Sequence, residues 1–219
     1  KGLDVIPAED ERGAAVIRLA RGTCLQELGA SDDARSDIQS TLETAERLGD
    51  VSLLARAHRA LALLHMWVGP PDEARRHAHR AIELADGSGD LNVAFWSHWA
   101  LAALEGLTGN TVTMASEIAA AQAIATRLHS PVLRIWIDEL SIERAYATGD
   151  WETGLALAER TIALARSLNQ QTLLTRLLVW TSFIHLGKGD LERGKALVDE
   201  AWTLAGMEGP EPEFVDVHM

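Results

Sequence analysis

The stretch GDWETGLALAERTIALA at residues 149–165 and its counterpart GDLERGKALVDEAWTLA at 189–205 decide how this chain is read. Both open on Gly-Asp, both carry a second Gly five residues after the first, and they stand 40 residues apart. The interval runs through the chain as Gly29, Gly69, Gly109, Gly149 and Gly189 without a slip. Halfway between lie Gly49, Gly89, His129, Asn169 and Gly209, so a turn falls about every 20 residues. A fixed period in this range is the mark of stacked modules, and each module here is two similar halves.

Aligned on those glycines, the positions at offsets 5, 9, 12 and 16 form columns of small or apolar side chains. The first holds Ala34, Ala74, Met114, Gly154 and Gly194, the second Ile38, Ala78, Ile118, Ala158 and Val198. Next come Thr41, Ala81, Ala121, Thr161 and Ala201, then alanine throughout at 45, 85, 125, 165 and 205. Steps of 4, 3 and 4 draw one stripe along an α-helix, and side chains this small let a second helix approach closely. The other half of each module repeats the rule with Leu53, Ala57, Ala60 and Leu64, with Val93, Ser97, Ala100 and Leu104, and with Leu173, Leu177, Trp180 and Ile184. Leu133, Ile137, Leu140 and Arg144 depart only at the last place. The first copy is Gly13, Ile17, Ala20 and Cys24, which predicts a buried thiol.

Helix ends agree with the columns. Glycine at the turns suits the left-handed residue that closes a helix, and Asp50, Asp90, Ser130, Asp150 and Asp190 stand where a side-chain oxygen caps the next one. Pro71 and Pro131 fall in first turns, where a missing N–H costs least. The spacing predicts ten helices at 8–28, 32–48, 50–68, 71–87, 90–108, 111–128, 131–148, 151–168, 170–187 and 190–206, and no strand. They make one domain, 1–206, of five hairpin units at 8–48, 50–88, 90–128, 131–168 and 170–206. Residues 207–219 read either as an acidic linker or as the truncated start of a further repeat, His218 falling 40 positions after Leu178.

The Gly-Asp-Trp-Glu-Thr-Gly and Gly-Asp-Leu-Glu-Arg-Gly runs, with apolar and small positions 9 and 12 residues after the first Gly, resemble the second helix of tetratricopeptide repeats. The resemblance covers nearly the whole chain. It implies an all-α, right-handed α-solenoid of antiparallel helix hairpins. The usual period is about 34 residues. The longer unit is similar to the repeats of bacterial multidomain regulators of the MalT and LuxR-like type and of related signal-transduction ATPases. Leu61-Ala62, Leu101-Ala102 and Ser141-Ile142 replace the usual Leu-Gly pair of the first helix.

Composition excludes several classes of function. Apolar residues make up 47% of the 219 and charged residues 24%, a foldable balance. A net charge of −12 repels phosphate backbones, so direct nucleic-acid binding is not expected. The single cysteine permits no intrachain disulfide, and no apolar run reaches the length of a membrane span. No basic region followed by an apolar core opens the chain, so a cytoplasmic, membrane-free setting is expected. No Gly-rich loop ending in Gly-Lys-Ser or Gly-Lys-Thr, no Gly-x-Ser-x-Gly and no His-Glu-x-x-His is found, so no enzyme, catalytic residue or cofactor is expected. Gly87-Ser88-Gly89 reads as an inter-helix turn rather than a phosphate cradle. Among the eight histidines, His77 and His79 point to different helix faces and His58 and His65 lie two turns apart, so no metal site is expected. Arg75, Arg76, His77, His79 and Arg80 read as a basic, solvated helix surface.

Seven tryptophans against one Tyr and three Phe point to a site. By their columns Trp180 and Trp202 are core or seam, and Trp151 staples a turn. Trp96 and Trp136 share a column with Arg56 and Arg176, and Trp99 shares one with Arg59 and Glu139, so these positions are expected to stay partly exposed. The tetratricopeptide resemblance carries such first-helix columns onto a concave face lined by Arg56, Arg59, Met66, Trp67, Trp96, Trp99, Trp136, Glu139, Glu143, Tyr146 and Arg176. Asp138, Glu139 and Glu143 form the carboxylate cluster in or beside that face. Aromatic planes flanked by guanidinium groups suit a peptide, a protein partner or a small-molecule effector. The expected function is a non-enzymatic ligand- or protein-binding, signal-sensing module of a bacterial transcriptional or signalling regulator. A constitutive scaffold or self-association domain with no small-molecule ligand is the alternative, and packing between repeats is the alternative role of the tryptophans.

Overall fold

The computed structural model describes residues 10–206. Among them are ten helices and no strand: α1 (Glu11–Glu27), α2 (Ser31–Leu48), α3 (Val51–Val68), α4 (Pro71–Ser88), α5 (Leu91–Leu107), α6 (Thr111–Arg127), α7 (Pro131–Thr148), α8 (Trp151–Ser167), α9 (Gln171–Gly187) and α10 (Leu191–Leu204). Every boundary that lies among the described residues falls within a turn of the one read from the sequence. The expected start of the first helix at 8 and the tail at 207–219 lie outside the described residues.

The helices fall into two compact units, Lys1–Leu128 with α1 to α6 and His129–Met219 with α7 to α10. Consecutive helices pair as hairpins, and each second helix packs onto the first helix of the next hairpin in its unit. The first helices also lie side by side, α1 on α3 and α3 on α5 in unit 1, α7 on α9 in unit 2. No two second helices pack together among the described residues. Each unit thus has an inner layer of first helices, and their shared face is where side chains from successive repeats meet.

Turn chemistry explains the regular spacing. Gly29, Gly49, Gly89, Gly109, Gly149 and Gly189 all have positive φ, and His129 and Asn169 adopt the same conformation at the equivalent turns. Gly69 departs, with φ −131° and ψ −179°, because Pro70 follows and disfavours the helical region for the residue before it. The side chains of Asp50, Asp90, Ser130 and Asp190 accept from first-turn amides as expected. Asp150 occupies the N-cap without such a bond. There the Trp151 indole folds back and donates to the Tyr146 carbonyl at 3.1 Å, which makes it the expected staple.

The small-residue columns are the seams. Ala34, Ala74, Met114, Gly154 and Gly194 are buried, as are Ala45, Ala85, Ala125 and Ala165. A Cβ on Gly22 would stand 2.8 Å from Ile38 Cγ1, and one on Gly154 would stand 2.9 Å from the Ala145 Cβ, so helix backbones approach to glycine distance. Val198 and Ala205 are exposed, because no described helix follows α10 to cover them. The same cause overturns the expectation for Cys24. In α3 the stripe through Leu64 is covered by α2. The matching stripe on α1 has no described helix before it, and Cys24 is exposed while Ala15, Leu19 and Gly22 are the buried residues of α1.

Candidate functional site

In unit 2, Trp136, Glu139, Glu143 and Tyr146 recur along α7 at helical spacing and share one stripe. Arg176, Trp180 and Phe183 form the facing stripe of α9. Arg176 Nη2 donates to Glu139 Oε1 at 2.8 Å, and the Trp180 indole Nε1 donates to the same oxygen at 2.9 Å. The Arg176 guanidinium carbon lies 5.6 Å from the centre of the Trp136 ring, within cation–π range. Tyr146 sits 6.1 Å from Trp180 and 5.8 Å from Phe183, and Trp180 meets Phe183 edge-on at 5.5 Å.

Burial grades across the cluster. Glu139 is fully buried and Glu143 nearly so, whereas Arg176, Trp136, Trp180 and Phe183 are half-buried and Tyr146 is 38% exposed. Exposure thus rises outward from Glu139 through the aromatic side chains to Tyr146. Glu139 Oε2 and Arg176 Nε are buried with no hydrogen-bond partner, so the cluster holds polar capacity that folding leaves unused. Burial raises the Glu139 carboxyl above the usual range, opposed by Arg176 and Trp180. Burial, and then repulsion from Glu139, push Glu143 up to about 8, with Arg176 pulling the other way. At neutral pH Glu143 is thus mostly a neutral acid beside the Glu139–Arg176 ion pair.

Five residues expected at the site, Trp136, Glu139, Glu143, Tyr146 and Arg176, are brought together here. Asp138, expected beside them, turns to α8 instead, where it accepts from the Thr161 hydroxyl at 3.1 Å and burial raises its carboxyl. Trp180 was expected as core or seam, yet it is half-buried and its indole bonds Glu139. Phe183 carried no signal of its own beyond its place one turn after Trp180.

The remaining six lie on α3 and α5 of unit 1. Trp96 stands edge-on to Phe95 at 5.2 Å and to Trp99 at 5.7 Å. Arg59 reaches α5, where Nη1 lies 3.4 Å from Asn92 Oδ1, and its Nε is buried without a hydrogen-bond partner. Burial, reinforced by Arg56, lowers the Arg59 pKa below the ordinary arginine value. Arg56 is half-buried and Trp67 exposed. Expected exposure fails for Trp99 and Glu139, at 4% and 0%, and Met66 and Glu143 are buried as well. A long side chain at a first-helix position packs its length into the layer even where a neighbouring repeat carries arginine, because arginine buries its stem and keeps only its head wet.

The supposed basic surface of α4 is neutralised. Arg75 bonds Glu105 at 2.6 Å and Asp72 at 3.0 Å, Arg76 pairs with Glu73, and Arg80 pairs with Glu83 at 2.9 Å. His77 is buried rather than solvated, because it faces α3. His58 Nδ1 and His77 Nδ1 are 2.8 Å apart, and the His65 ring lies parallel to His77 at 5.6 Å. Weighing histidines within one helix missed this, because the partners lie across the hairpin. A cross-helix register was legible: His98 pairs with Glu117 at 2.7 Å, the same positions one repeat on.

No protein-family profile matches the chain. No curated protein sequence matches it. Among solved structures it is similar to a Rap protein in complex with Competence and Sporulation Factor, with a TM-score of 0.80 and 12% identity over 93% of this chain. The chain spans 56% of the length of that protein. The likeness establishes a tetratricopeptide-like helical-repeat fold. Among the described residues no helix is long and apolar enough to cross a membrane.

Proposed function

We propose that this chain is a non-enzymatic recognition module whose unit 2 takes a basic side chain of a peptide or protein partner between α7 and α9. The observation that carries the proposal is Glu139, a fully buried carboxylate with one oxygen unpartnered beneath half-buried aromatic side chains. A guanidinium or ammonium group entering past Tyr146 would meet the faces of Trp136 and Trp180 and give Glu139 Oε2 the donor it lacks. The added positive charge would also favour ionised Glu143, so binding releases a proton. A chain with an excess of 12 negative charges attracts basic partners from a distance. Glu139 already accepts two hydrogen bonds, which fits a binding group better than a catalytic base. The Rap protein of similar fold was solved in complex with Competence and Sporulation Factor, which supports a binding role for this architecture.

The wider setting belongs to the same proposal. The long repeat resembles arrays in MalT- and LuxR-like bacterial regulators, where occupancy of the array informs a neighbouring switch. A cytoplasmic signal receptor is the role that follows, and a small basic effector would use the same chemistry.

The test is tryptophan fluorescence during titration with short arginine- and lysine-containing peptides and their norleucine-substituted counterparts. Basic peptides are expected to give a saturable change that disappears in Glu139→Gln and Trp136→Ala and persists in Trp202→Phe. Equal responses to norleucine peptides, or no response to any basic peptide, would end the proposal.

A further inference from the structure

Unit 1 contains a second group of side chains that the recognition site does not use. His58 and His65 come from α3, Glu73 and His77 from α4, and one ligand atom each from His65, Glu73 and His77 lies within 4.8 Å of the others. We propose that His65, Glu73 and His77 bind one divalent ion of the Zn2+ type, with His58 orienting the His77 ring.

The donor set suits such an ion, since imidazole and carboxylate are its common ligands. A tetrahedral site with bonds of about 2.1 Å separates its ligand atoms by about 3.4 Å, so binding would turn the stacked His65 ring out of its plane parallel to His77 and draw Glu73 inward. Zinc needs neutral imidazole, with a ring nitrogen free of its proton to bind the ion. The Nδ1 to Nδ1 contact at 2.8 Å requires one proton between His58 and His77. With that proton on His77, its Nε2 lone pair is left facing Glu73, 3.9 Å away. This is how an outer partner sets the tautomer of a metal-binding histidine.

Two further observations point to a ligand. His65 is 8% exposed and its Nδ1 is buried with no hydrogen-bond partner, a cost that close packing of aliphatic side chains would avoid. The Glu73 side chain, by contrast, is 34% exposed and gives an ion a way in from solvent. Glu73 also holds a two-pronged ion pair with Arg76, which an ion would have to share or displace. Three protein ligands leave one position for water or another donor.

The experiment is calorimetric titration of the chelator-treated chain with Zn2+ alone, repeated with Co2+ for its visible absorption. One ion per chain is expected, with binding lost in His65→Ala and His77→Ala and unchanged in His79→Ala, an exposed position on the same helix. His58→Phe should weaken affinity about tenfold or more. Because removing a buried histidine risks the fold, Glu73→Gln is the decisive variant. It should keep its far-UV circular dichroism and lose at least about tenfold in affinity, with altered Co2+ absorption. No binding by the parent chain, or equal binding by the folded Glu73→Gln variant, overturns the site and leaves the stacked rings as packing. Neither outcome touches the α7–α9 site, which holds none of these residues.

Discussion

Adding one methyl group at Gly22 and the same methyl at Gly87 should move stability in opposite directions. Both positions are helical and both belong to unit 1. Replacing a helical glycine by alanine gains about 0.5–1 kcal/mol in backbone terms. At Gly87, one residue from the end of α4, no atom lies within 4 Å of the new Cβ, so Gly87→Ala should show much of that gain. At Gly22 the Cβ would stand 2.8 Å from Ile38 Cγ1 and 3.2 Å from both the Ala34 carbonyl oxygen and the Asp37 Cβ. One of those is main chain and one is a Cβ, so the α1–α2 pair has to open. Overpacking of this kind costs about 1–3 kcal/mol. Gly22→Ala should therefore be destabilised by up to about 2 kcal/mol, and the two variants should differ by about 1–3 kcal/mol. Urea unfolding followed by far-UV circular dichroism reads the difference as a shift of midpoint at constant slope. In a chain of this size it corresponds to several degrees in Tm, at about 2–4 °C per kcal/mol. Equal stabilisation by both substitutions would refute the close seam.

Acid should weaken unit 1 through its histidines. His58 and His77 titrate at about 4 in the folded chain, against an ordinary 6.5, so the unfolded chain takes up protons first. Their effect is nil above pH 6.5 and grows as pH falls toward 4. With partial screening by water the pair costs on the order of 1–2 kcal/mol at the acid end. Glu143 works in the opposite sense, so the measurable quantity is the difference in stability between the chain and a His58→Gln, His77→Gln variant at pH values either side of that window. A flat difference would contradict the neutral pair. Cys24 should react with a thiol reagent in the native chain nearly as fast as in urea, whereas a large native-state slowing would show the α1 stripe to be covered.

Much of this architecture is written in local chemistry. A turn glycine with positive φ, a capping aspartate and a stripe of alanines each act within one helix and its neighbour, so their repetition at 40 residues is readable directly. Gly69 shows how far that reaches, since the proline after it overrides the column. Cys24 failed for a different reason: a column records what a position faces in the middle of an array, and α1 has no described neighbour on that side. The α7–α9 cluster was half legible. The tetratricopeptide resemblance places Trp136, Glu139, Glu143, Tyr146 and Arg176 on one face, but the Trp180 bond to Glu139 joins residues 41 apart and depends on how deeply each side chain lies. The His58–His77 contact is a register across a hairpin, invisible to any test within one helix.

A basic group bound at Glu139 would lie beside Glu143, a buried acid that burial and Glu139 keep protonated, and would draw off its proton. Labelling the glutamate side-chain carboxyl carbon and following it by NMR against pH tests this directly, with Glu143→Gln to assign the signal. The free chain should show a midpoint of about 8, which should fall clearly when an arginine-containing peptide is bound. A Glu143 midpoint at the ordinary glutamate value of 4.5, unmoved by such a peptide, would contradict it.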